Sequence, residues 1–221
     1  MSKSPGTARR FAVAAALTAC CVTGCSGGTA RSGHPDERPS ASAHASAPAS
    51  AGVPDSTGNQ DPAHYAPQVI KHAREAGVSP RLMMAILYNE DYKPHDPAFE
   101  RSWQKIKPDS AFGIANMHKA AFDQTKQGRP FAHRDWQDLP GDPDLAITAE
   151  AWFLHDLAAQ LPAHWAGSYT KDQLLALGYN AGGGNMAAFA RGATPGSTAG
   201  SYLDRLKENW DKAGKAVARA G

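Results

Sequence analysis

After position 25 the chain has no cysteine, because Cys20, Cys21 and Cys25 are its only three. Whatever folds beyond them has no internal disulfide and no thiolate metal site, so a packed core must hold it together. The histidines are scattered, with no His-Glu-x-x-His or comparable ligand spacing, and neither a metal nor another cofactor is expected. A Gly-x-Ser-x-Gly elbow for a serine hydrolase is also missing. The glycine run Gly182-Gly183-Gly184 has no strand before it and no Gly-Lys-Ser/Thr after it, which excludes a phosphate loop. Charge of one sign is lacking too: from Asp61 onward there are 18 basic and 18 acidic residues. Such a balance leaves no concentrated basic face for nucleic acid. Period-two runs of β-branched residues are absent, so strands are not expected.

The N-terminal stretch is of another kind. Lys3, Arg9 and Arg10 precede a short apolar run from Phe11 to Val22, too short to span a bilayer as a mature helix. The run closes on Val22-Thr23-Gly24-Cys25, which resembles the lipobox of bacterial lipoproteins. That resemblance implies a signal over residues 1–24 and a diacylglycerol at Cys25, anchoring the protein on the outer face of the cytoplasmic membrane. Leu17-Thr18-Ala19-Cys20 fits less well, since it leaves an apolar core of only about seven residues. An ordinary secretory signal, with a secreted product, is the alternative. Arg9-Arg10 hints at twin-arginine export, but its surroundings match that motif poorly.

Residues 25–60 are mostly Ser, Ala, Pro, Gly and His, with almost no large apolar side chain. Such a segment cannot bury enough surface to offset the entropy of ordering it, and it reads as a tether in which His34 and His44 are solvated. Residues 61–221 suit one domain.

Helix signals recur through that domain. Asp61-Pro62, Ser79-Pro80 and Asp142-Pro143 each pair an N-cap with a first-turn proline, and Gly77 stops the first helix. Asp109 or Ser110 can cap "AFGIANMHKAAFDQT", and Thr170 begins "KDQLLALGYN". Short and long helices follow over about 185–191 and 198–218. The class is all-α, with six or seven helices, and residues 94–107 read as a loop.

On the second helix Met83, Ile86, Leu87 and Glu90 share a stripe by i, i+3, i+4, i+7 spacing. Glu90 therefore projects from the inward face, and Asp91 points about 100° away. Partial burial disfavours the anion of a carboxyl, and a proton held near neutral pH is what a general acid needs. A carboxylate at the C-terminal end of a helix also opposes the helix dipole. Two solvated helix-end acids are the plain alternative.

Three segments stand in order: "AILYNEDY" (85–92), "SAFGIAN" (110–116) and "LGYNAGGGN" (177–185). Together they resemble the soluble lytic transglycosylase domain, which is related to goose-type lysozymes. In that family a helix ends on a catalytic Glu followed by Ser, then come Gly-Ala-x-Gly-Leu-Met-Gln and Ala-Tyr-Asn-Ala-Gly. Tyr179 to Gly182 match the last motif identically, and "GSYLDRL" (200–206) resembles the family's closing helix. Asp91 stands where the family has Ser, and Tyr92 where it usually has Gly. Gly113-Ile114-Ala115-Asn116 replaces Gly-Leu-Met-Gln. The interval from Glu90 to Gly113 is about eight residues longer than typical; a sugar-positioning serine of the family falls in it, and the resemblance assigns it to neither Ser102 nor Ser110.

The resemblance implies a single lysozyme-like helical domain. It also implies cleavage of the β-1,4 bond between N-acetylmuramic acid and N-acetylglucosamine in peptidoglycan. Glu90 would be acid and then base, closing a 1,6-anhydro ring, with the substrate's acetamido group replacing a second carboxylate. Gly113, Asn116, Tyr179 and Asn180 would bind substrate, with the Tyr179 hydroxyl near Glu90. The expected partners are glycan strands and, through Cys25, the membrane; the protein would be a monomer that binds no nucleic acid. Trp103 and Trp136, in polar stretches, are candidates to stack on sugars, while Trp152 and His155 read as structural. A hydrolytic muramidase using Asp91 or another nearby acid is one alternative. A non-catalytic peptidoglycan-binding lipoprotein, motivated by the departures at Asp91 and Asn116, is another.

Overall fold

A computed structural model describes residues 61–92 and 95–221; Cys25, the signal and the tether lie outside the described residues. Eight α-helices follow a 3₁₀ turn, Pro62–Tyr65: α1 (Ala66–Ala76), α2 (Pro80–Glu90), α3 (Pro97–Ile106), α4 (Lys119–Thr125), α5 (Pro143–Gln160), α6 (Lys171–Ala181), α7 (Gly183–Ala190) and α8 (Ser197–Ala220). A second 3₁₀ segment, Trp136–Gly141, precedes α5. Among the described residues there is no strand, only an isolated bridge between Phe112 and Met117. The all-α expectation holds for them, with eight α-helices rather than six or seven.

The cap residues act as their chemistry requires. Ser79 Oγ accepts from Leu82 N at 3.1 Å, Asp96 Oδ1 from Phe99 N at 2.6 Å, and Asp142 Oδ1 from Leu145 N at 3.0 Å. Each is followed by a proline at the first helical position, whose missing N–H costs nothing there. Thr170 and Gln173 exchange side chain-to-backbone bonds in a capping box at the start of α6.

The helix α2 is the centre of the fold. From Leu82 to Glu90 every residue is buried, with Leu82, Met83, Met84, Ala85 and Ile86 fully so. It packs along α8 and also touches α1 and α6, while α5 covers α1, α4 and α6. Burying each large aliphatic side chain is worth about 1.5–3 kcal/mol, so this helix carries much of the core's stabilisation. Beside its last residue, Asn89 donates to the Tyr202 carbonyl at 3.0 Å and accepts from Asn209 at 2.9 Å. These bonds fix the end of α2 against α8. On α5, His155 hydrogen-bonds the Ala76 carbonyl, the structural part expected of it.

Two stretches differ from the sequence expectation. Residues 111–118 are turn and bridge, and α4 begins only at Lys119. The reason lies in Gly113 and Asn116, both in the left-handed region with φ of 72° and 48°, where a right-handed helix cannot continue. Conversely, the expected loop at 94–107 contains α3, started by Asp96-Pro97. Trp136 is 4% exposed and packs edge-on against Phe112, while it also lines a cavity of about 720 Å³ with Arg101, Gln104 and Asp135.

Candidate active site around Glu90

Glu90 closes α2 and is 6% exposed. Its carboxyl is held from two sides: Asn116 Nδ2 donates to Oε2 at 2.9 Å, and the Tyr202 hydroxyl donates to Oε1 at 3.0 Å. Hydrogen bonds to a charged acceptor are each worth about 1.5–3 kcal/mol, enough to hold a single rotamer. The carboxyl lines a cleft of about 280 Å³ together with Tyr92, Asn116, His118, Tyr179, Asn180, Tyr202 and Arg205. Of the cleft-lining side chains among the described residues, Glu90 is the one carboxylate.

Asn116 reaches Glu90 from a tight turn whose ends are tied by reciprocal backbone bonds between Phe112 and Met117, at 3.1 and 3.0 Å. Three buried or half-buried side chains clamp this turn. Glu100 accepts from Gly113 N at 2.9 Å, the Tyr179 hydroxyl donates to the Ala115 carbonyl at 2.6 Å, and Trp136 Nε1 donates to the Met117 carbonyl at 2.8 Å. Gly113 is required sterically as well, because a Cβ there would sit 2.9 Å from the Leu139 carbonyl oxygen. A non-glycine residue with positive φ, such as Asn116, stores strain that its surroundings must hold. Here the clamps hold it, and they aim the amide at the acid.

Glu90, Asn116, Tyr179 and Asn180 thus come together as lining of one cleft, whereas Gly113 does not line it and makes its close approach to Leu139 instead. Tyr179 is near Glu90, but its hydroxyl is spent on Ala115, so the phenol on the carboxyl is Tyr202. Asp91 caps α2 and does not line the cleft. Ser110 faces the neighbouring cavity, and Ser102 bonds the Ala98 carbonyl of its own helix.

A second carboxyl lies behind the first. Glu150, on α5, is 0% exposed, and neither of its oxygens has a hydrogen-bond partner among the described residues. Burial, and secondarily the charge of Glu90, push its pKa well above the carboxylate range, so it is held as the neutral acid. The hydroxyls of Tyr179 and Tyr202 are likewise held protonated, first by burial and then by the charges of Glu90 and Glu150. Glu150 was detectable in principle, whereas the contact of Tyr202 with Glu90 was not. Glu150 shares a stripe with Ile147, Leu154 and Leu157, and a carboxylate on an otherwise apolar face is the same signal that marked Glu90.

No family model, curated protein or solved structure matches the chain.

Proposed function

We propose that this protein is an exported peptidoglycan lytic transglycosylase with a lysozyme-like domain, tied to the membrane surface by a lipid on Cys25. The observation that carries the reading is the Glu90 carboxyl: nearly buried, oriented by Asn116 and Tyr202, and the one acid among the described residues of an open cleft. A glycosidase that activates water or forms a glycosyl-enzyme needs a second carboxyl within about 5–9.5 Å across the scissile bond. Glu150 cannot serve in that part, since it is sealed from the cleft. One carboxyl suits substrate-assisted cleavage.

In that sequence Glu90, protonated, gives its proton to the glycosidic oxygen as the bond to C1 of N-acetylmuramic acid breaks. The substrate's acetamido oxygen stabilises the electron-poor C1. The Glu90 anion, received by the Tyr202 hydroxyl and the Asn116 amide, then takes the proton of the C6 hydroxyl as that oxygen bonds to C1. The 1,6-anhydro ring closes and the enzyme returns to its starting protonation state. Both donors serve the anionic stage without moving, which lowers the reorganisation the second step requires.

The test is mass spectrometry of soluble products after the full chain is incubated with purified peptidoglycan, beside Glu90→Gln. Anhydro-muropeptides from the native chain and none from the variant are expected, since loss of a general acid-base group costs about 10²–10⁴ in rate. Reducing-end products would mean hydrolysis, and no product from either protein would leave a binding module.

A further inference from the structure

Large apolar side chains left in water are few among the described residues, and most of them are gathered in one place. Among the described residues, Tyr92, Phe99, Trp103 and Ile106 are the exposed large hydrophobics, and the first three wall a second cavity of about 350 Å³. Tyr92 and Phe99 are 63% and 62% exposed, and Trp103 38%. A concentration of exposed aromatic surface of this kind marks a binding face rather than a fault in packing.

We propose that Phe99 and Trp103 of α3, with Tyr92, form a glycan-stacking subsite that extends the Glu90 cleft and takes further N-acetylated sugars of the same strand. The proposal rests on reading the Glu90 cleft as a glycan site. It stands first on continuity: Tyr92, Asn116 and His118 line both cavities, so a polymer threaded past Glu90 runs on into the second. It stands also on the chemistry of the wall. Phe99 and Trp103, one helical turn apart, hold their rings near-parallel at 12° with centroids 6.2 Å apart. Pyranose rings present apolar C–H faces that pack on such surfaces, while their hydroxyls and acetamido groups need polar partners. Ser110, Asn116 and His118 supply those around the same cavity.

The platform is also preorganised with respect to the acid. Glu100, the residue after Phe99, is buried, accepts from Gly113 N at 2.9 Å and hydrogen-bonds His95 Nδ1 at 3.1 Å. The same helix that displays the rings is therefore tied to the turn that carries Asn116 to Glu90. The Tyr92 hydroxyl accepts from Asn116 Nδ2 at 3.1 Å, so the amide that orients the acid also orients the first ring of the ledge. A rigid wall loses little entropy on binding, which is where such a site gains affinity.

The experiment compares chitohexaose and chitobiose binding by calorimetry in the full chain carrying Glu90→Gln, alone and with Phe99→Ala/Trp103→Ala or Ile106→Ala. The double substitution is expected to weaken chitohexaose about tenfold or more and to erase most of its advantage over chitobiose. Ile106→Ala, on the same helix but off the cavity wall, is expected to leave both unchanged. Unchanged chitohexaose affinity in the double variant overturns the subsite, as does an equal loss from Ile106→Ala. Co-sedimentation with phosphatidylglycerol vesicles that is lost with the aromatic pair, while chitohexaose binding is kept, overturns it in favour of a membrane face. The muropeptide assay separates the two readings. Anhydro products with unchanged chitohexaose affinity sink the subsite alone; lost affinity with no products from the native chain sinks the transglycosylase alone.

Discussion

The Tyr202 hydroxyl of α8 donates to Oε1 of Glu90 at the end of α2, at 3.0 Å and 112 positions away in the chain. A hydrogen bond donated to a carboxylate favours its charged form. Removing the donor with Tyr202→Phe is therefore expected to lower kcat about tenfold or more, as the Glu90 anion loses a stabilising donor. An unchanged kcat would remove Tyr202 from the chemistry and leave it a packing residue. Stability should drop by about 1–2 kcal/mol, the cost of one lost buried hydrogen bond.

Asn116→Gly separates the side chain from its backbone conformation, because glycine keeps a φ near 48° without strain. The expected outcome is a loss of about tenfold to a hundredfold in kcat, the weight of a hydrogen bond to a charged group, with a melting temperature nearly unchanged. If kcat held and stability fell, Asn116 would be a turn residue only.

Glu150 makes stability depend on pH with a definite sign. Burial first, and then the charge of Glu90, raise its pKa in the folded state, so the native protein keeps a proton that the unfolded chain releases. Its contribution is fully present below the ordinary glutamate pKa of about 4.3 and declines as pH rises through the window above it, by up to about 1.4 kcal/mol per pH unit. Tyr179, Tyr202 and Glu90 are the titratable groups coupled to it, and both phenols stay neutral across this range. Glu150→Gln should therefore gain on the native protein between pH 5 and pH 8 in urea denaturation. An equal difference at both pH values would contradict a neutral Glu150.

Gly113→Ala should destabilise markedly more than Gly77→Ala. Both have positive φ, 72° and 68°, and so share a conformational penalty of about 1–2 kcal/mol. Only at Gly113 does the new Cβ also meet a backbone oxygen, 2.9 Å away on Leu139, while at Gly77 nothing lies within 4 Å. Thermal melts of the two variants measure the difference, and equal shifts would mean that the segment around Leu139 gives way freely.

Much of the fold was legible because its signals are local. An N-cap oxygen with a proline behind it acts within one helical turn, and so Ser79-Pro80 and Asp142-Pro143 marked α2 and α5 correctly. Asp96-Pro97 carries the same signal and opens α3, but the short polar-aromatic mixture after it hid the helix. The helix expected at residues 111–118 failed for the opposite reason: its composition is helix-like, and two left-handed residues, held by contacts from three distant elements, override it. Trp136 sits among polar residues in sequence, and only the tertiary structure shows that its ring packs on Phe112 and its Nε1 donates to the Met117 carbonyl.

The inward face of α2, and hence the burial of Glu90, followed from a 3.6-residue period written into the chain. Which groups meet that carboxyl did not. Asn116, Tyr179 and Tyr202 come from separate elements, and their exchange of parts, with Tyr179 on Ala115 and Tyr202 on Glu90, is a matter of distances near 3 Å. Periodicity places a residue on a face, but a hydrogen bond needs an atom at a distance and an angle, and only tertiary packing, of α8 for Tyr202 and of the clamped turn for Asn116, supplies both. The same holds for Glu150: the sequence puts it on an apolar stripe, and only the closed core around it decides that it keeps its proton.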